Sequence, residues 1–524
     1  MGKKKKAKRQ VESPGPVAVI HLGANAISLL VGEPDAHGEL RPIELLSQPV
    51  ALAQEVFRHG IVSVEAMEQA VAVLQSHEQA MREFGVVGPP ARIVATNILL
   101  EAENQDTLLN RIQMTLGWEA ELLDDGEMTR LIYLATRRLL RRHRKFLQKG
   151  TVVTHIGPGN TRALFFENGG VREYHRYPLG IERTREQVEQ SRGDLTVTPR
   201  IISQHTRNAF DQLGYDFPKD AVKRFVALGQ EIQTLGRLLA RSSGGARVLA
   251  RRKLAPLIAE IEENGVDRLA RRLQLDFRTA DLVLYALQLH VDLAAQFEVD
   301  EITVPDEEFE QSLLAELVSP SSAPDQFQHE VAQAALNLGA KFKIDTAHAQ
   351  HVARSSGILF QELEKLHALG RRESLILTAA ALLHETGHLI GARDHHLHSR
   401  YIIEHNEVFG LDQEDTFLAS LVARYHRGAS PSTEHPEYRL LERSQRLVVS
   451  KLAALLRVAD ALDRGRGHRV AIRRVERQGR QLVLELEGLK DESAVQLAMN
   501  AKAGLFTSLF GLDVVLKVAS RTAS

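Results

Sequence analysis

The chain has 524 residues, of which 44% are hydrophobic, so it can bury several cores and is expected to form about three or four domains. Its 66 Lys and Arg residues nearly balance 67 Asp and Glu residues, so no global field draws it onto nucleic acid or a membrane. Cysteine is absent, which excludes disulfides, thiolate metal sites and cysteine nucleophiles. We therefore expect a cytoplasmic protein with no membrane partner and no specific nucleic-acid partner.

The amino-terminal segment is strongly basic. Six of the nine residues from Met1 to Arg9 are Lys or Arg, and we predict that residues 1–16 form a disordered, solvated tail. The apolar stretch from Val17 does not have the pattern of a secretory signal, because Pro14 and Pro16 separate it from the charges.

Two segments share one pattern and predict an internal repeat. The segments 17–25 and 152–160 each combine a β-branched run, a His-(Leu/Ile)-Gly sequence and a tight glycine turn, and each is followed by a second apolar strand. Helical periodicity follows both hairpins. The economical interpretation is a pair of α/β halves that face each other across a cleft, over residues 17–145 and 146–318.

The remainder of the chain has a different pattern. Residues 319–324 are rich in Pro and Ser and predict a linker. From Phe327 to Asp463 apolar residues recur at three- and four-residue spacing, which predicts an all-helical domain over residues 325–467. Short alternating runs after His468 predict a small α/β module over residues 468–524.

Several of these segments, in the same order along the chain, resemble signatures of the exopolyphosphatase/guanosine pentaphosphate phosphatase (Ppx/GppA) family. The amino-terminal part carries counterparts of the family's ATSALREAxN, SGxEEARLIY and PLG sequences. The carboxy-terminal part carries segments similar to the family's helical HD-type domain. These segments are 93–104, 124–133 and 178–180, followed by 382–388, 425–427 and 455–464.

The resemblance implies a fold and an activity. The fold would comprise two actin-like (ribonuclease H-like) α/β lobes, a helical HD-type domain and a small α/β carboxy-terminal module. The reaction would be hydrolysis of a terminal phosphoanhydride of inorganic polyphosphate or pppGpp, with Mg²⁺ as the cofactor and a homodimer as the assembly. The phosphate would lie against the glycine turns, and the matching positions here are Gly23, Asn25, Gly157, Gly159, Asn160 and Gly229.

The two hairpins depart from the family pattern at the positions that matter for the metal. The first family hairpin reads roughly DxGSN and the second DxGGGSTE, whereas here His21 and His155 replace the two aspartates. Pro158 removes a backbone N–H donor from the second turn, and Arg162 replaces its acidic residue. Imidazoles bind Mg²⁺ poorly. The resemblance therefore implies weakened or lost hydrolysis at the amino-terminal site.

The two histidines stand at equivalent repeat positions, which predicts that they face one another across the cleft. A paired role would be to hold a softer metal such as Zn²⁺, or to bind an anion below about pH 6.5, when imidazole becomes cationic. The alternative is drift of a cleft that has lost its activity.

One acidic element of the family motif could survive. The paired glutamates of SGxEEA fall on Glu127 and Met128. If the water-orienting base is the first of the pair, it is retained as Glu127, and if it is the second, it is lost. The sequence leaves both alternatives open.

The helical domain retains its candidate metal ligands. His348, His384 and Asp460 match the ligand positions of HD-type phosphohydrolases, while Glu385 replaces the aspartate of the His-Asp pair. Imidazole and carboxylate together suit Mn²⁺, Fe²⁺ or Zn²⁺. The neighbouring histidines, which could also contact an anion or a metal, are His388, His395, His396, His398 and His426.

Three functional hypotheses follow. The leading one is a family member that binds polyphosphate, a guanosine polyphosphate or a protein partner, with weakened or lost amino-terminal hydrolysis. The second is a working phosphohydrolase that uses Glu127 or the metal of the helical domain. A remote alternative is a zinc protease, because residues 384–388 also read HExxH. The basic run 137–145 is either a charged helix end or a polyphosphate track.

Overall fold

The computed structural model describes residues 15–34, 40–139, 150–192, 198–217, 219–306, 309–318, 324–489 and 492–518. They form two compact units, one from the described residues of Met1–Gly170 and His175–Pro324, and the other from those of Val171–Tyr174 and Asp325–Ser524. We call them the two-sheet unit and the helical unit and describe each by itself. Most of the predicted basic tail, of the predicted linker and of the basic run after residue 139 lies outside the described residues.

The two-sheet unit contains strands β1 to β12 and helices α1 to α11. The strands are β1 (Val17–Leu22), β2 (Ala26–Pro34), β3 (Leu40–Pro49), β4 (Arg92–Ala95), β5 (Glu121–Leu122), β6 (Thr151–Ile156), β7 (Thr161–Glu167), β8 (Gly170–Tyr177), β9 (Arg224–Leu228), β10 (Ser242–Ser243), β11 (Ala246–Ala250) and β12 (Glu301–Pro305). The helices are α1 (Leu52–His59), α2 (Val64–Glu83), α3 (Gln105–Leu116), α4 (Asp125–Leu139), α5 (Ile181–Arg192), α6 (Pro199–Asp216), α7 (Gln230–Leu239), α8 (Arg251–Asn264), α9 (Val266–Leu273), α10 (Phe277–Gln296) and α11 (Phe309–Val318).

The two sheets share one strand order, which confirms the predicted repeat. The first sheet runs β3-β2-β1-β4-β5, and the second contains the corresponding run β8-β7-β6-β9-β12, extended by β11 and β10. In each, an antiparallel hairpin opens the lobe, and its first strand pairs in parallel with the strand that returns after the helices. His21 and His155 are each the penultimate residue of that first strand, so the repeat places them at equivalent positions.

Local sequence explains most helix boundaries in this unit. Ser63 accepts a hydrogen bond from the backbone N–H of Ala66 at the start of α2, and Asp276 caps α10 in the same way. Thr198 caps α6 and Pro199 is its first residue, as predicted. Each sheet has its own apolar core, which for the second sheet is built around the buried helix α10.

The helical unit contains ten helices and a three-stranded sheet within its described residues. The helices are α12 (Pro324–Lys341), α13 (Thr346–Glu362), α14 (Glu364–His367), α15 (Arg371–Leu383), α16 (His395–Glu404), α17 (Gln413–Arg424), α18 (Pro436–Arg439), α19 (Arg443–Leu462), α20 (Glu492–Lys502) and α21 (Gly504–Phe510). The strands are β13 (Ala471–Gln478), β14 (Gln481–Glu487) and β15 (Asp513–Val518), in the order β13-β14-β15.

The core of this unit is formed by α13, α15, α17 and α19, which pack on one another. The predicted helical pattern from Phe327 to Asp463 is confirmed. The single helix predicted near Asn500 to Gly511 is instead two helices, α20 and α21, with a break at Ala503. In the part of the chain that the structure describes, every helix is too short or too polar to cross a membrane.

The junction between β8 and α5 depends on one glycine. A Cβ atom on Gly180 would lie 2.3 Å from the carbonyl oxygen of Pro158 and 2.5 Å from the backbone nitrogen of Gly159. The backbone of this junction therefore lies directly against the second hairpin turn. Two further bonds fix the contact, because the N–H groups of Ile181 and Arg183 donate to the carbonyls of Gly157 and Pro158.

We expect Gly180→Ala to destabilise the two-sheet unit by about 2 to 4 kcal/mol, since the backbone atoms that a Cβ would meet cannot move aside like a side chain. Gly236→Ala in α7 is the matched control, because its Cβ would make ordinary contacts of 3.4 Å or more and alanine favours a helix. Urea unfolding followed by circular dichroism measures both. Equal stability of the two variants would contradict the close approach.

Candidate functional site

The two-sheet unit has a cavity of about 330 Å³ at the turns of its two hairpins. We call it the hairpin cavity. Four of the six predicted phosphate-binding residues line it, together with both histidines of the repeat. Its lining includes His21, Gly23, Asn25, Met128, His155, Gly157, Pro158, Gly229, Gln230, Glu231, Arg237 and Glu310.

His21 is paired with a carboxylate in this cavity. Its Nδ1 lies 2.7 Å from Oε1 of Glu310, while its buried Nε2 has no hydrogen-bond partner among the described residues. Although burial disfavours the charged form of Glu310, the contact with His21 lowers the pKa of that carboxyl. Sequence reasoning missed Glu310, which lies 289 residues away in α11 and belongs to none of the family segments.

His155 differs from His21 in its environment. Burial, followed by the charges of Arg162 and His290, lowers the pKa of His155 to about 3. The imidazole is therefore neutral at any pH near neutrality. The structure places both histidines on one cavity, but it argues against the predicted pair of cationic rings that would hold an anion.

Each hairpin turn contains a backbone hydrogen bond between two of its own residues. The N–H of Gly23 donates to the carbonyl of Ala26, and the N–H of Gly157 donates to that of Asn160, both at 2.9 Å. The other two predicted phosphate ligands have different contacts: the Cα of Gly159 faces Phe57, and the Asn160 side chain accepts a bond from Arg162. The N–H groups of Gly23 and Gly157 are thus engaged within their own turns.

The arginine that replaces an acidic family residue has a partner of its own. The buried Arg162 donates from NH2 to Oδ1 of Asp125 at 2.7 Å, and Asp125 also pairs with Arg176. Asp125 in turn stands where the family motif has glycine. Two departures from the family pattern thus form an ion pair within the two-sheet unit.

The structure distinguishes Glu127 from Met128. Glu127 accepts two hydrogen bonds from Arg130, from Nε at 2.7 Å and from NH2 at 2.5 Å. Met128 is the residue of the pair that lines the hairpin cavity. The cavity-facing position of the SGxEEA match is thus a thioether, which cannot orient water as a carboxylate does.

The helical unit has a second cavity of about 370 Å³. We call it the histidine cavity. Three of the four predicted metal ligands line it, together with several cationic side chains. Its lining includes His348, Glu385, His395, His426, Arg427, Arg457, Asp460, Asp463, Arg464, Arg466 and Lys502.

A partly different three of the predicted metal ligands, His348, His384 and Asp460, converge in the helical unit, although His384 does not line the cavity. The Nε2 atom of His348 lies 3.4 Å from Oδ1 of Asp460, and that of His384 lies 4.0 Å from the same oxygen. One ligand atom from each of the three residues lies within 4.8 Å of the others, which is the spacing that a bound ion requires. Glu385, the fourth, has Oε1 3.9 Å from His348 Nε2 and also pairs with Arg466.

Neighbouring groups orient both imidazoles. His348 contacts Oδ2 of Asp463 through Nδ1 at 2.8 Å, and His384 donates from Nδ1 to the carbonyl of Ala381 at 2.8 Å. The buried Nε2 of His384 has no hydrogen-bond partner among the described residues. An imidazole whose Nδ1–H is held by a carboxylate or a backbone carbonyl presents the lone pair of its Nε2, which is the usual arrangement of a metal ligand. The residues therefore fit a divalent ion.

Asp460 has a cationic partner from α20. The ammonium group of Lys502 donates a hydrogen bond to its Oδ2. Although burial disfavours the charged form, His348 and Lys502 hold the pKa of Asp460 well below its usual range. Burial alone would lower the pKa of His348. Its hydrogen bonds to Asp460 and Asp463 outweigh that effect and raise the pKa of His348 to about 9. Sequence reasoning did not single out Asp463, although it lies within the family-like segment 455–464, and it missed Lys502, which lies in none of those segments.

The zinc protease alternative does not fit this geometry. Helix α15 ends at Leu383, and the residues Thr386–Leu389 form a separate 3-10 turn. His384 and His388 therefore do not lie one turn apart on a single regular helix, as HExxH chemistry requires. His384 belongs with His348 and Asp460, whereas His388 lies near Glu385 and His395.

Comparison with known proteins agrees with the resemblance seen in the sequence. Residues 30–304 match the model of the Ppx/GppA phosphatase family, and residues 332–500 match that of Ppx/GppA phosphatase, domain III. The first match alone spans more than half of the chain.

Relatives and a solved structure extend this agreement. The chain is 23% identical to a guanosine-5'-triphosphate,3'-diphosphate pyrophosphatase of Vibrio campbellii over 428 residues, which cover 78% of this chain and 80% of that protein. It is 23% identical to the Vibrio vulnificus protein of the same name, over 86% of this chain and 87% of the relative. An exopolyphosphatase of Cytophaga hutchinsonii shares the fold over 58% of this chain and 98% of its own, at 15% identity and a TM-score of 0.50. The chain therefore belongs to the Ppx/GppA phosphatase family.

Proposed function

We propose that this family member binds inorganic polyphosphate or a guanosine polyphosphate in the histidine cavity, with the aid of a divalent metal, and that its hairpin cavity does not cleave phosphoanhydrides. The observation that carries the proposal is the set of cationic side chains around the three converging ligands of the helical unit. The ligand class is that of the family, as the Vibrio and Cytophaga relatives are named for it.

The net charge of the lining side chains differs in sign between the two cavities. The described lining of the histidine cavity includes five cationic side chains, Arg427, Arg457, Arg464, Arg466 and Lys502, against the carboxylates of Glu385, Asp460 and Asp463. The described lining of the hairpin cavity includes Arg237 against the carboxylates of Glu231 and Glu310. Because a phosphate chain carries about one negative charge per residue, the histidine cavity suits it better.

The two cavities also differ in the metal ions that their side chains could bind. Mg²⁺ requires oxygen ligands, yet the hairpin cavity presents imidazoles where the family has aspartates, and its Glu310 is already paired with His21. Those residues do not fit Mg²⁺. His348, His384, Glu385 and Asp460 would hold Mn²⁺, Fe²⁺ or Zn²⁺ in the helical unit, which supports the HD-type assignment of that domain. Such an ion would polarise a phosphoryl oxygen.

Glu231 makes the hairpin cavity still less favourable for an anion. It lies in the first turn of α7, two residues after Gly229, which the family resemblance places against phosphate. Burial, reinforced by the nearby carboxylates of Glu182 and Glu310, raises the pKa of Glu231 to about 7. Its side chain thus takes space at the helix start and becomes negative above neutral pH.

A second candidate function is metal-dependent phosphate hydrolysis in the helical unit. The convergence of His348, His384 and Asp460 favours it, because a bound ion there could both polarise the substrate and activate water. The same cavity would serve both functions, and the choice between them rests on turnover.

We expect phosphate release from polyphosphate and pppGpp with Mg²⁺ to be far below the ordinary enzymatic range of about 1 to 1,000 per second. Glu127→Gln should leave any residual rate unchanged, because that carboxylate is bound by Arg130 and Met128 faces the cavity. Malachite green assays measure the release. Turnover within the ordinary range that Glu127→Gln abolishes would refute the proposal, whereas turnover with Mn²⁺ that Asp460→Asn abolishes would establish the second candidate.

Arg464→Ala should weaken binding of tripolyphosphate by roughly tenfold when Mn²⁺ is present, which corresponds to about 1.4 kcal/mol for one lost charge-assisted contact. Arg237→Ala in the hairpin cavity is the matched control and should leave the affinity unchanged. His384→Ala should abolish the dependence of binding on Mn²⁺. Calorimetry at constant ionic strength makes these measurements, and the opposite ranking of the two arginine variants would place the ligand in the hairpin cavity.

Glu231→Gln should change how the free energy of unfolding depends on pH. Because the folded pKa of about 7 lies above the ordinary value of 4.5, folding favours the protonated form, so the contribution of Glu231 to wild-type stability is fully present below about pH 4.5 and is lost as pH rises through 7. The amide cannot ionise, so between these pH values the free energy of unfolding of the variant should rise relative to that of wild type by up to about 3 kcal/mol. Parallel pH profiles of the two proteins in urea titrations would contradict the raised pKa of Glu231.

A further inference from the structure

His21 presents an unsatisfied hydrogen-bond acceptor to the hairpin cavity. Its Nδ1 lies 2.7 Å from Oε1 of Glu310, so the neutral ring carries its proton on Nδ1 and a lone pair on Nε2. That Nε2 is buried and has no hydrogen-bond partner among the described residues, and His21 as a whole is only 7% exposed. A buried acceptor without a donor costs free energy, and a ligand with an N–H group would remove that cost.

Two carboxylates line the same cavity, those of Glu231 and Glu310. Burial, reinforced by the charges of Glu182 and Glu310, raises the pKa of Glu231 to about 7, so its carboxylate is ionised at pH 8. It then lies in a partly buried position near a second negative group. The described lining contains one Lys or Arg side chain, the exposed Arg237, so negative charge is in excess. Such a site attracts a cation.

The backbone turn before α7 brings Glu231 to the end of the second hairpin's first strand. Gly229 has a φ of 130°, a conformation that favours glycine. A Cβ at Gly229 would lie 3.2 Å from the carbonyl oxygen of Ile156, the last residue of β6. Leu228 pairs with His155 in the parallel register of β9 and β6. Glu231 therefore follows, by three residues, the position that pairs with His155.

The spacing and size of the cavity favour an organic cation over a metal ion. In the described part of the chain, every group of three potential ligands whose atoms lie within 4.8 Å of one another belongs to the helical unit. The acceptors of the hairpin cavity therefore do not surround one point closely enough to hold a bare ion. The cavity of about 330 Å³ has room for a small organic molecule, and part of its wall is apolar. The apolar side chains are Leu45, Met128, Ile156 and Leu313.

We propose that the hairpin cavity binds an aliphatic amine, with its ammonium group between Glu231 and Glu310 and one N–H directed at Nε2 of His21. An ammonium group carries three donors, and its hydrogen bonds to carboxylates are charge-assisted. Its methylene groups would lie against the apolar wall. The substitutions that remove the family's phosphate chemistry from this cavity thus leave a site for a ligand of the opposite charge. This inference concerns a different cavity from the proposed function and does not depend on it.

The experiment titrates the full-length protein with the diamine putrescine by calorimetry at pH 8, where Glu231 is ionised. Two related probes separate the contributions of charge and hydrogen bonding. The diol 1,4-butanediol has the same carbon chain without charge, and it should not bind. Tetramethylammonium has the charge but no N–H donor, so it should bind at least roughly tenfold more weakly than putrescine.

Charge substitutions within the cavity should act in opposite directions. Glu231→Gln removes one carboxylate and should weaken putrescine binding by roughly tenfold. Arg237→Gln removes a like charge and should strengthen it by about threefold. Glu44→Gln is the matched control, because Glu44 is exposed on β3 and its neighbour Leu45 lines the cavity in its place. A general disturbance of the fold would weaken binding in both cavity variants, and circular dichroism verifies that each protein is folded.

Three results would each overturn the amine site: no binding of putrescine by wild type, an equal affinity for the diol, or an unchanged affinity in Glu231→Gln. None of them would affect the proposed function, because tripolyphosphate binding is assigned to the histidine cavity. Failure of tripolyphosphate to bind would in turn leave the amine site intact.

Discussion

A carboxylate buried within a helix bundle must be neutralised, and the arrangement of the helical unit around Asp460 follows from that requirement. Asp460 lies in α19 with only 7% of its surface exposed. Three elements supply compensation: His348 from α13, His384 at the end of α15 and Lys502 from α20. Asp463 then fixes the ring of His348 from the opposite side. The metal-type ligand set is thus the same set of contacts that makes the buried charge tolerable.

The two-sheet unit shows the reverse situation, in which the fold is kept while the chemical groups have changed. Its strand order and its hairpins are those of two repeated lobes. The charges have been redistributed within it: His21 pairs with Glu310, and Arg162 pairs with Asp125. His21 and Arg162, which replace acidic residues of the family pattern, thus each contact a carboxylate of this unit. This is why retention of the fold carries no information about retention of hydrolysis.

Sequence reasoning predicted the parts of this structure that depend on residues close together in the sequence. The repeat, both hairpins, the cap at Thr198 and the convergence of His348, His384 and Asp460 all follow from short patterns or from family motifs. The charged partners of the site residues do not follow from such patterns. Glu310 is 289 residues from His21, and Lys502 is 42 residues from Asp460, so only the folded chain brings them together. Which of Glu127 and Met128 lines the hairpin cavity depends on which side of α4 faces it. The HExxH match failed because Gly387 lies in a turn rather than a regular helix.

The central claim is that phosphate ligands and metal meet in the helical unit and not at the hairpins. Crystals grown with Mn²⁺ and tripolyphosphate, with data collected at the manganese absorption edge, test it most directly. The account predicts anomalous density beside His348, His384 and Asp460, with the phosphate chain directed toward Arg464. Manganese and phosphate between His21 and His155, with none beside Asp460, would contradict it.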